Sequence, residues 1–169
     1  MAVTYATIGT PQTVSGSATN TVTFSGISNA YTDIVAVMNV GATAGSGTGF
    51  GMYFNSDTGT NYSDTRLNGD GTTASSARGA TQARILQFSA ALPETATIFS
   101  PVVTHIFSYT NTTTYKSTLT RSNNSANAVQ LIAGIWRATP AAITSISFYT
   151  FAGNFSSGST FALYGIKAA

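Results

Sequence analysis

Val102-Val103-Thr104-His105-Ile106-Phe107-Ser108-Tyr109, then Tyr115-Lys116-Ser117-Thr118-Leu119-Thr120-Arg121, then Val129-Gln130-Leu131-Ile132-Ala133-Gly134-Ile135-Trp136, is the stretch that decides the fold. Each run is dominated by β-branched and aromatic residues, and polar breaks such as Asn123-Asn124 separate them. Such residues fit a pleated, half-buried surface, and the breaks supply turns. Thr and Ser stand where a helix would carry Ala, Glu or Lys, so no amphipathic helix of three turns is expected. One short helix is conceivable, near Ala90 to Thr95.

The same pattern continues outward. Val22 and Phe24 alternate with Thr21, Thr23 and Ser25. Asp33 to Val40 reads as a strand buried on both faces, because Ile34, Val35, Val37, Met38 and Val40 are all apolar. Phe50 to Phe54 and Arg84 to Phe88 precede the opening stretch, and Ile143 to Phe151 and Phe161 to Ile166 follow it. Turn signals fall between them: Gly41 to Gly49, Asn68-Gly69-Asp70-Gly71, Thr139-Pro140 and Gly153-Asn154.

About eight to ten strands without alternating helices predict an all-β chain, a two-sheet antiparallel sandwich. A jelly roll suits this strand number better than an immunoglobulin fold, which takes about 100 residues and often a Cys-Trp-Cys core. Trp136 has no cysteine to accompany it. A length of 169 residues predicts one domain, 1–169. Residues 1–16, polar and strand-poor after Ile8, read as an extended arm. Residues 41–81 read as long loops at one end, packed through Phe50, Tyr53, Phe54 and Tyr62.

The absence of cysteine excludes a thiol nucleophile, a thiolate metal site and a disulfide framework. Only 7% of residues are charged, against about 25% in an ordinary domain. The surface therefore hydrogen-bonds well but exerts little long-range field. Arg66, Arg78, Arg84, Lys116, Arg121, Arg137 and Lys167 are scattered rather than striped, which argues against a nucleic-acid partner. Met1-Ala2-Val3-Thr4-Tyr5 opens no secretory signal, and no apolar run approaches the ~18 residues of a membrane span. Synthesis in a cytoplasm and no membrane partner are the expectation.

No catalytic, metal or cofactor site is expected. His105, the single histidine, shares a strand face with Val103 and Phe107 and reads as a hydrogen-bonded residue in or beside the core. Asp57, Asp64 and Asp70 fall in predicted loops, and Asp33 and Glu94 at element ends. Asp57-Thr58-Gly59 and Asn68-Gly69-Asp70-Gly71 are what tight turns require, and that reading outweighs a glycosidase pair of Asp57 with Asp64. Oxygens at Asp57, Asn61 and Asp64 could bind calcium, but their spacing departs from the EF-hand loop. Gly45-Ser46-Gly47-Thr48-Gly49 lacks the Gly-Lys-Ser/Thr and helix of a phosphate cradle. Asn-x-Ser/Thr triplets at Asn61, Asn111, Asn123 and Asn154 come with no secretory signal. Tyr53, Tyr62 and Tyr115, each near a predicted loop, are the candidates for stacking on a glycan.

Gly153-Asn154-Phe155-Ser156-Ser157-Gly158-Ser159-Thr160-Phe161-Ala162-Leu163-Tyr164-Gly165-Ile166-Lys167 resembles the closing segment of small virion proteins of tailed bacteriophages, including cyanophages. Ile143-Thr144-Ser145-Ile146, Tyr31-Thr32-Asp33-Ile34-Val35 and Phe54-Asn55-Ser56-Asp57-Thr58-Gly59-Thr60-Asn61-Tyr62-Ser63 are similar to segments of the same group. The resemblance implies a virion location and a non-enzymatic structural role. It points to a head decoration (cement) protein that binds the major capsid protein and works as a homotrimer. The alternative it leaves open is a tail-fibre or other receptor-binding domain that contacts a host-surface glycan.

Overall fold

The computed structural model describes residues 5–16, 19–43, 49–89, 92–93, 98–125 and 127–167. Among them are twelve strands and no helix. They are β1 (Tyr5–Thr13), β2 (Thr21–Phe24), β3 (Asp33–Val40), β4 (Phe50–Phe54), β5 (Tyr62–Gly69), β6 (Ala74–Gln82), β7 (Ile85–Phe88), β8 (Ser100–Ile106), β9 (Lys116–Asn123), β10 (Val129–Trp136), β11 (Ile146–Thr150) and β12 (Thr160–Ile166). The one stretch that left room for a short helix, Ala90 to Thr95, together with Glu94 and Gly45 to Thr48, lies largely or wholly outside the described residues.

Two antiparallel sheets form a sandwich: an eight-stranded one ordered β1-β12-β3-β8-β9-β10-β5-β6 and a four-stranded one ordered β2-β11-β4-β7. The chain exceeds the expected number of strands because β1, β5 and β6 are strands too. Residues 5–13 are thus no arm: Tyr5 pairs with Ile166 and Thr13 with Thr160, making β1 an edge of the large sheet. Residues 62–82 are likewise a hairpin extending that sheet rather than a loop. At its tip Asp70 Oδ1 accepts from Thr72 N at 2.9 Å and Thr73 N at 2.6 Å, the turn role read from Asn-Gly-Asp-Gly.

The core lies between the sheets and is aromatic. Ring centroids run from Phe24 to Phe148 (6.5 Å), Phe148 to Phe161 (5.7 Å), Phe161 to Phe155 (4.9 Å) and Phe155 to Phe50 (5.8 Å). All five rings are buried. Phe161 belongs to the large sheet, and Phe24, Phe148 and Phe50 to the small one, so the chain of rings joins the two layers.

The two hairpins, β5–β6 and β9–β10, carry the large sheet past β8, and β7 packs under them. Their inner face is unusually polar. Thr104 Oγ1 bonds Gln87 Oε1 and lies 2.9 Å from Thr120 Oγ1, and Gln130 Oε1 accepts from Ser89 N at 2.9 Å. Contact with β7 is close: a Cβ on Gly134 would stand 2.4 Å from Ile85 Cγ2 and 2.6 Å from Thr118 Oγ1. β10 therefore turns Gln130, Ile132, Gly134 and Trp136 inward. Alternation then sends Val129, Leu131, Ala133 and Ile135 outward.

β3 obeys the same rule and overturns the expectation of burial on both faces. Ile34, Ala36, Met38 and Val40 are buried, whereas Val35 and Val37 face out. Its second apolar face is not core. It is surface.

Candidate functional site

Side chains from strand to strand line up in rows on the outer face of the large sheet. One row runs Val37, Val103, Arg121, Leu131, Leu67 across β3, β8, β9, β10 and β5. The next runs Tyr164, Val35, His105, Leu119, Ala133, Thr65. Val129 is 60% exposed, Leu67 57%, Leu131 44%, Leu119 42% and Val37 41%. Scattered apolar residues are normal on a protein surface, but a contiguous patch across neighbouring strands marks a site of interaction. A groove of about 370 Å³ lies within it, lined by the apolar Val35, Val103, Leu119 and Leu131 together with His105, Arg121 and Tyr5.

His105 is half-buried on this outer face, not in the core. Its Nε2 lies 3.1 Å from Asp33 Oδ2, and Asp33 Oδ1 accepts from Ser108 N at 2.6 Å. The imidazole stacks on Phe107 at 4.1 Å. Val35 and Leu119 flank it in the sheet, so its neighbours across the strands are apolar.

The loop carboxylates are dispersed. Asp57 Oδ2 accepts from Trp136 Nε1 at 2.7 Å, and its carboxylate is also bonded by Asn61 Nδ2 and Gly59 N. Asp64, on β5, is buried and is approached by Leu86 N at 3.4 Å. Asp57 and Asn61 thus meet each other, while Asp64 serves the interior. Among the described residues no three of His, Asp and Glu gather into a metal-binding group.

Burial raises the Asp64 carboxyl above its usual 3.8, outweighing Leu86 N–H, Arg84 and Arg66, which lower it. The folded protein therefore takes up this proton before the unfolded chain does. Its contribution to stability is full below the unfolded value and is lost as pH rises through the folded one. Asp64→Asn is accordingly expected to raise stability at pH 7, by about 1 kcal/mol. That gain should shrink as pH falls toward 4, read as the difference in urea midpoint between variant and wild type at each pH.

The glycan candidates separate. Tyr62 is fully buried: its hydroxyl accepts from Phe54 N at 3.0 Å and donates to Asp57 O at 2.9 Å, and its ring stacks on Trp136. It offers no ring face to a sugar, because residue 62 begins a strand and not a loop. Tyr115 is 54% exposed, just before β9. Tyr53 is half-buried on the outer face of the small sheet, 5.6 Å from Tyr149, which lies 5.7 Å from Phe151. The Arg84 guanidinium caps Phe151 at 4.3 Å.

The fold and this face together define a β-sandwich protein with an apolar sheet surface open to contact. No protein-family model matches the chain, and no curated protein sequence matches it.

Proposed function

We propose that this chain is a structural subunit of a tailed-phage particle, a head decoration protein that binds and stabilises the capsid as a homotrimer. The observation that carries this reading is the apolar outer face of the large sheet. A surface of that kind gains free energy when covered within an assembly, as the packing of subunit on subunit in a trimer requires, and a low charge content makes its rim cheap to desolvate. Binding only the assembled shell would stabilise that shell by mass action. The strand order supports the jelly-roll form of the sandwich. Apart from the two inserted hairpins, the strands order β1-β12-β3-β8 over β2-β11-β4-β7, the order of two interlocked Greek keys.

A second reading, a tail domain that binds host glycans, is favoured by the Tyr53–Tyr149–Phe151 cluster on the opposite sheet. Mass spectrometry of separated heads and tails distinguishes the two. Decoration predicts many copies tracking with heads, and shells that break at lower temperature when the protein is missing. A few copies tracking with tails, with cell binding reduced by Tyr53→Ala, would replace it with the glycan reading.

A further inference from the structure

Arg121 stands in the middle of the apolar face, between Val103 on β8 and Leu131 on β10. Among the described residues it has no ion pair; the single pair there is His105 with Asp33. A guanidinium set among apolar side chains at a contact surface needs a carboxylate from whatever covers it, since a buried unpaired charge is costly. Among the described residues, the chain's own carboxylates narrow the source. Asp33 is held by His105 and Ser108 N, Asp57 by Trp136, and Asp64 is buried. Asp70, at the tip of the β5–β6 hairpin, is exposed: its Oδ1 holds the turn through Thr72 and Thr73, and among the described residues no cation pairs with the carboxylate.

We propose that the outer face of the large sheet packs against a second copy of this chain, with Arg121 taking the carboxylate of Asp70 of the partner subunit. This rests on the self-assembly in the function proposed above. Size fits the assignment. Strands β3, β8, β9, β10 and β5 are consecutive in the sheet, so they span about 20 Å across, and residues 129 to 135 about 20 Å along. The resulting patch, on the order of 400 Å², is the apolar centre of an interface that takes about 800 Å² from each partner. The hairpin supplies a small-residue surface beside Asp70: Ala74 and Ser76, paired with Gly69 and Leu67, are uncharged and exposed, with Arg78 exposed further along the strand. A tip-to-face contact is heterologous, the kind that closes into rings, and so agrees with a trimer.

Sedimentation velocity of the full chain over a range of concentrations tests this. The wild type should sediment as an oligomer. Arg121→Asp and Asp70→Arg should each weaken association at least about ten-fold, and combining them should restore it. Arg121→Gln and Asp70→Asn, which only remove the charge, give the same reading if a reversal disturbs the fold by circular dichroism. An oligomer indifferent to both charges, or single variants that dissociate without rescue in the double, would overturn the pairing while leaving the virion role intact. A wild-type monomer whose binding to purified heads is lost in Leu131→Glu would assign the face to the capsid and overturn the second copy as occupant. The head-and-tail location of the protein, measured separately, decides the virion reading itself.

Discussion

Phe161→Ala should destabilise the protein by about 3–5 kcal/mol, the cost of emptying a large aromatic site in a packed core. Phe161 is fully buried on β12, 5.7 Å from Phe148 and 4.9 Å from Phe155, where the large sheet meets the small one. Truncation removes its buried area and two ring contacts, each worth about 0.5–1.5 kcal/mol beyond that area. Global stability of a domain is only about 5–15 kcal/mol, so the variant would be near its folding threshold at growth temperature. Phe161→Leu, which refills most of the space, should lose far less. Tyr115→Ala should fall within about 0.5 kcal/mol of wild type, since that ring is 54% exposed. Urea midpoints for the three variants give the ranking. Equal losses for Phe161→Ala and Tyr115→Ala would mean that the edge-on and tilted rings do not hold the sheets together.

The same core explains what could be read from the sequence and what could not. Strands β2, β3, β4, β7, β8 and β10 to β12 carry Val, Ile, Leu or aromatic residues between polar breaks, β9 carries alternating Thr and Ser, and each was legible to within a few residues. β1, β5 and β6 were not. β6 is Ala-Ser-Ser-Ala-Arg-Gly-Ala-Thr-Gln, exposed along most of its length, so neither propensity nor alternation marks it. It is a strand because β5 pairs with it, a tertiary cause. β1 breaks register between Ile8 and Gln12, and Gly9 there takes φ of 67°, which interrupts its alternation.

The candidate face was visible but misread. A strand apolar on both sides, such as Ile34-Val35-Ala36-Val37, signals either double burial or a covered surface, and one sequence cannot separate the two. β10 is harder still. Alternation would put Val129, Leu131 and Ile135 inside, yet they point out. Gly134 must meet Ile85 across a gap too small for a side chain, and Trp136 must reach Asp57. Those two contacts fix the phase of β10, and both join residues far apart in sequence. The apolar face is therefore a consequence of how β7 and the Asp57 loop lock the hairpin from beneath.

Removing that lock should be costly. Asp57→Ala is expected to lose on the order of 3 kcal/mol, because it strips a charged acceptor from the buried Trp136 N–H and from Asn61 and Gly59 together. Trp136→Phe should lose less, since Asp57 keeps its other donors and access to water. Burial pushes the Asp57 carboxyl up, but the bonds from Trp136, Asn61 and Gly59 outweigh it and hold the group below its usual 3.8. With the folded value depressed, its contribution is complete above the unfolded value and is lost as pH falls through the folded one. The gap between wild type and Asp57→Ala should thus be full at pH 7 and narrow below about pH 4, opposite in sign to the Asp64→Asn effect. The loss should also be local. Trp136 pairs in register with Tyr62, so the bond ties the start of β5 to the end of β10. Hydrogen exchange in Asp57→Ala should rise in residues 62–69 and 129–136 before it rises in β3 or β12. Because Leu67, Leu131 and Ile135 ride on those strands, the variant should also weaken the self-association proposed above while its core strands stay protected. Uniform loss of protection across both sheets would mean that the extension is not held by this contact, and that the outer face owes its shape to the sandwich as a whole.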